Sequence, residues 1–165
     1  MRIRTIALII LAVLAIVVGG VFYYSLTHPQ KISDKDQAEI IKLTLKRALV
    51  AKEIPDYHLI KDKENIVLST ENIDPNLVPN IPEVNLILLD PDEIQENADL
   101  EGDFLYLRFE QVKVENSKVI ISLDNIWAVS QYTQGAYLSG GGFTIEYHRD
   151  FFGRWIGEVI RTWIS

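Results

Sequence analysis

Hydrophobic positions follow three successive rhythms along this 165-residue chain. From Thr5 to Tyr24 there is no charged side chain, and Ile, Leu, Val and Ala dominate. Twenty residues at a rise of ~1.5 Å span roughly 30 Å, the thickness of a bilayer's hydrocarbon core. Phe22, Tyr23 and Tyr24 suit the aromatic belt at a membrane interface. The pattern predicts a tail over residues 1–4, a transmembrane anchor over 5–26 that contacts the lipid bilayer, and a linker over 27–32 broken by Pro29. Arg2 and Arg4 put the tail in the cytoplasm and the rest of the chain outside it, as in a single-pass protein of a bacterial inner membrane. Lys31 and Lys35 beyond the anchor reduce that bias. Cleavage as a signal peptide is the alternative, although the apolar core is long and no small-x-small site follows Gly20.

The second rhythm is helical. Ser33 is a cap candidate with Asp34 and Asp36 behind it, and Ala38, Ile41, Leu45 and Ala48 recur at three and four residues. This predicts an amphipathic helix over 34–53, ended by Ile54-Pro55. The third rhythm is β. Ile66–Thr70 and Val84–Leu89 are short apolar runs, separated by a loop containing Pro75, Pro79 and Pro82. Asp90-Pro91-Asp92-Glu93 has the marks of a second helix start, for a helix running to about Ala98. Phe104–Val114 and Lys118–Val129 form one predicted hairpin through Asn116-Ser117. Phe143–His148 and Trp155–Ile164 form another through Asp150–Gly153. The expected class is α+β: residues 33–165 as one domain, its long helix packed on a curved antiparallel meander. Both parities of the last strand are apolar, which predicts cover on both of its sides.

The elements in this order, and the ending Phe143-Thr-Ile-Glu-Tyr-His-Arg, Gly153-Arg-Trp and Trp163-Ile-Ser, resemble the cystatin-like and nuclear-transport-factor-2-like superfold. There the last hairpin commonly carries an aromatic strand, a Gly-x-Trp turn and a final Trp. The resemblance implies a helix against a sheet. It selects no function, because that superfold houses enzymes, ligand pockets and assembly modules.

Charge then narrows the field. Residues 27–165 carry 23 acidic and 14 basic side chains, which argues against nucleic-acid binding. The absence of cysteine excludes disulfides, thiol nucleophiles and cysteine-based zinc sites. No cofactor motif is present: Ser139-Gly140-Gly141-Gly142 lacks the Lys and the helix of a phosphate loop and suggests a bulge or turn. Between Lys63 and Arg108 there are eleven acids and no Lys or Arg. Within that block Asp90, Asp92, Glu93 and Glu96 are candidates for contact with a basic protein partner. Asp99, Glu101 and Asp103 imitate the front of a calcium loop, but Arg108 stands where the closing Glu belongs. On the meander, Arg108, Glu110, Ser122, Asp124, Thr144, Glu146 and His148 share a parity, so they converge on a face expected to be solvated and without a pocket. His148 with Glu146 or Asp124 is the candidate catalytic pair for proton transfer. The same residues also read as cross-strand ion pairs, such as Arg108 with Glu146. The expected role is a non-catalytic interaction or assembly module; a small hydrolase or isomerase and an apolar-ligand carrier are the alternatives.

Overall fold

A computed structural model describes residues 32–115, 118–134 and 140–164. The chain divides into two units between Lys31 and Ile32. The predicted tail, the anchor and all of the linker except Ile32 lie outside the described residues. Among the described residues no helix is long and apolar enough to cross a membrane.

The unit from Ile32 is α+β, with two helices and a six-stranded sheet. Helix α1 (Asp34–Leu45) starts at Ser33, whose hydroxyl accepts from Asp36 N–H, and continues as a π-helical turn over Lys46–Val50. The expected unbroken α-helix to residue 53 is thus corrected. The wider turn still buries Ala48 and Leu49, and the helix stops before Pro55. Helix α2 (Pro91–Glu101) opens with the predicted cap. Asp90 accepts from Glu93 N–H at 2.9 Å, and Glu93 accepts from Asp90 N–H at 2.8 Å.

The strands are β1 (Asn65–Ser69), β2 (Asn85–Leu89), β3 (Phe104–Glu115), β4 (Lys118–Ala128), β5 (Gly141–Arg149) and β6 (Trp155–Ile164), in the order β2-β1-β3-β4-β5-β6. From β3 to β6 the neighbours are antiparallel, as expected. The sheet as a whole is mixed, which corrects the all-antiparallel expectation: β1 runs parallel to both β2 and β3.

Alternation gives the sheet two faces. The inner face carries Leu107, Phe109, Ile121, Leu123, Phe143 and Ile145, and these pack with Ile40, Ile41 and Leu45 of α1 into the main core. Each such side chain contributes about 1.5–3 kcal/mol of transfer free energy on burial. Polar ties seat the helix on the last hairpin. Thr44 Oγ1 lies 3.0 Å from the Tyr147 hydroxyl, Arg47 Nη1 donates to Gly157 O at 3.0 Å, and Asp36 pairs with Arg149.

The outer face is divided. Over β1 and the start of β3, α2 covers a small second core of Ile94, Ala98 and Ala128, with Phe104 and Tyr106 packed against it. Among the described residues no helix covers the outer face of β4, β5 and β6 beyond it. The expected two-sided cover of the last strand is therefore corrected: Ile156, Ile160 and Ile164 are exposed. The apolar residues of both parities in β6 form an edge strand, and one more residue on β6 than on β5 makes a bulge near Ile160.

Candidate functional site

The uncovered outer face holds a basin of about 780 Å³. Its position follows from register. Asp124 on β4 sits opposite Arg108 on β3 and opposite Gly142 on β5, and Gly142 in turn pairs with Trp163 on β6. One rung along, Ser122 pairs with Thr144, and their hydroxyls lie 2.9 Å apart. Ile126, Ile160 and Arg161 complete the wall. A face expected to be merely solvated therefore contains a depression.

Its floor is Asp124, only 3% exposed. The burial comes from Gly142: a β-carbon there would meet Asp124 Oδ1 at 2.4 Å and Trp163 Nε1 at 2.6 Å. Without one, the indole and the carboxylate both lie close over the β5 backbone. The glycines at 141 and 142 are thus strand residues where side chains press on the backbone, and not the expected turn. Asp124 Oδ1 makes no hydrogen bond of normal geometry, although the Trp163 indole N–H lies near the carboxylate, and the buried Nε of Arg108 has no partner. Burial raises the pKa of Asp124, and the Glu110 charge raises it further. The Arg108 charge and the Trp163 indole N–H act in the opposite direction.

The proposed proton-transfer partners do not meet there. His148 lies six residues along β5 from Gly142, roughly 20 Å at the rise of a strand. It is exposed and sits opposite Ile156. Glu146 is bound to Lys118 at 2.6 Å, and Arg108 approaches Glu71 at 3.6 Å, so the expected Arg108–Glu146 pair is replaced by two others. Shared parity puts these residues on one face, but along-strand distance separates His148 from Asp124, and Glu146, two residues from His148, is paired with Lys118 outside the basin. Of the three catalytic candidates, only Asp124 lines the basin.

Many carboxylates of the acidic block already have work inside the fold. Asp90 and Glu93 form the α2 cap. Asp99 accepts from Gln131 N–H at 2.8 Å and from the Gln131 side chain at 2.9 Å, while Asp103 accepts from Ser130 N–H at 2.8 Å and the Thr133 hydroxyl at 2.7 Å. These backbone donors hold both carboxyls below the usual carboxylate range. Asp99 and Asp103 tie down the start of the β4–β5 connection, and Glu101 is exposed at the helix end. Among the described residues no group of three or more His, Asp or Glu is placed to hold a metal ion. Asp92 and Glu96 stay exposed on α2.

Sequence reasoning missed Trp163 and Ile160 as site residues. The cue was present in Gly142, flanked by Gly141 and followed by an alternating strand, which marks a backbone closely approached by other atoms. No protein-family model, curated protein or solved structure matches the chain.

Proposed function

We propose that this is a membrane-tethered, extracytoplasmic interaction module that engages a protein partner through the uncovered outer half of its sheet. The observation that carries the reading is the Asp124 basin: a buried carboxylate oxygen that makes no hydrogen bond of normal geometry, on a face that no helix covers among the described residues. The uncharged stretch over residues 5–24 supports the tether, and Arg2 and Arg4 support export of the domain. The helix, the sheet and the closing Gly153–Trp155 hairpin support the plan of the cystatin-like superfold.

Two observations favour this over the other roles. A proton-transfer enzyme needs His148 beside a carboxylate in a cleft, but His148 and Asp124 are far apart on the sheet, and Glu146, which is near His148, is paired with Lys118 outside the basin. A carrier of apolar ligands needs space between α1 and the sheet, and that interior is occupied by fully buried side chains such as Ile41, Leu45, Phe109 and Ile121. The acidic block narrows as a contact surface to Asp92 and Glu96, because Asp90 and Glu93 are committed to the cap.

A photo-crosslinking residue at Thr144 or Ile160, compared with one at Lys42 on the exposed side of α1, tests the reading in native membranes. Crosslinks to a defined protein are expected from the outer-face positions and not from Lys42. Equal yields at both faces would refute it.

A further inference from the structure

Directly opposed residues on antiparallel strands have Cβ atoms about 5 Å apart, so Arg108 and Asp124 have the placement of an ordinary cross-strand ion pair. They do not form one. The guanidinium turns toward Glu71, and two buried polar atoms of opposite sense remain: the Arg108 Nε–H, a donor, and Asp124 Oδ1, an acceptor. Each is destabilising while unpartnered.

The chemistry of a ligand that satisfies both is restricted. A cation would serve Asp124 and Glu110 but would meet the charges of Arg108 and Arg161. An anion would meet the reverse opposition. The wall is balanced in charge and suits a neutral group carrying an acceptor and a donor side by side. A carboxamide has that arrangement: its oxygen accepts from Arg108 Nε–H and its N–H donates to Asp124 Oδ1. Beside the polar pair, Ile126, Ile160 and the half-buried Trp163 offer apolar surface. Trp and Arg are also the residue types that dominate protein–protein hot spots.

We propose that the basin reads an amide of an extended segment of a protein partner, with a neighbouring apolar side chain of that segment against Trp163 and Ile160. The Trp163 indole is the cover over Asp124 and swings outward as the amide enters. This rests on the interaction-module reading and specifies what the module recognises.

The test uses the full-length, nitrogen-15-labelled chain in detergent micelles and follows the Arg108 Nε–H and Trp163 Nε1–H resonances. The probe is N-acetyl-leucine N-methylamide, with butylammonium and a methyl glucoside as comparison compounds. Saturable, millimolar-range shifts of both resonances are expected with the blocked leucine, and smaller ones with the other two. Arg108→Lys keeps the charge but moves the donor, so it should weaken the probe by about fivefold or more, the equivalent of one hydrogen bond. Asp124→Ala should do the same, and the Lys variant serves alone if the Ala variant does not fold. Stronger binding of butylammonium or the glucoside, or no response to about 50 mM of the blocked leucine, overturns the amide pocket. Outer-face crosslinks that persist beside a failed titration leave the interaction module standing. Loss of both removes both.

Discussion

Tyr147 lies directly across the last hairpin from Gly157, and its ring fills the space that a β-carbon at position 157 would take. The nearest ring atom is 2.4 Å from that point. The ring is 1% exposed, and its hydroxyl reaches Thr44 of α1, so it has no free direction in which to move. Gly157→Ala should therefore destabilise the domain by about 1–3 kcal/mol, the usual cost of overpacking. Urea unfolding measures it. The same substitution in a Tyr147→Leu background should cost less, because the two positions share one volume. An unchanged midpoint for Gly157→Ala would show that the hairpin yields easily.

Asp124 gives the outer face a pH signature. Burial raises its folded-state pKa above the unfolded value near 3.8, so the folded state holds the proton more tightly than the unfolded chain. The cost of the charged form is absent below that unfolded value, grows as pH rises toward the folded pKa, and is fully present above it. Asp124→Asn removes this titration. Relative to wild type, the variant should gain stability as pH is raised from about 3 to 7. A difference independent of pH would show that Asp124 does not titrate abnormally.

Asp99 and Asp103 behave in the opposite sense. Their folded-state pKa values are lowered by the backbone N–H groups of Gln131 and Ser130. Their stabilisation is present above the unfolded value of 3.8 and is lost as pH falls below it. Asp103→Ala should flatten the acid limb of the stability profile and speed hydrogen exchange at Ser130. Calcium added to the wild type should leave its melting temperature unchanged, since these oxygens already accept from the chain.

Arg47 guards an edge. Its guanidinium bonds to Gly157 O on β6, an outermost strand of the sheet. Together with the bulge near Ile160, it keeps this edge from offering an uninterrupted row of backbone groups to another molecule. Arg47→Met should cost about 0.5–1.5 kcal/mol through the lost hydrogen bond. It should also produce concentration-dependent association by sedimentation velocity, which Ile160→Lys on the same strand would reverse. A monodisperse Arg47→Met protein would contradict the guard.

Local chemistry was legible in the sequence, and long-range pairing was not. Asp90-Pro91 with Glu93 announced the α2 cap because all of its hydrogen bonds close within three residues. Asp150 and Gly153 announced the last turn for the same reason: Asp150 accepts from Phe152 and Arg154 N–H, and Gly153 takes φ +77°. The apolar runs of β1 and β2 could be located, but nothing in five such residues states which neighbour they choose or in which direction. Asp99 and Asp103 looked like free anions because their donors, in residues 130–133, come from the next connection. Asp124 looked solvated because parity alone set its face. What buries it is Trp163, brought over Gly142 by the final strand.

The place of β1 between β2 and β3 bears on the order in which the domain assembles. Strands β3 to β6 close as successive neighbours, so each needs only the segment just made. β1 is synthesised before either of its partners and stays open on two sides until both have followed. Pairing across intervening chain carries the larger entropic barrier, which predicts that the hairpins form early and that β1 is inserted last. Pulsed hydrogen exchange during refolding would record this as early protection in β4 and β5 and late protection at Ile66–Leu68. The reverse order would place the nucleus at the parallel strands.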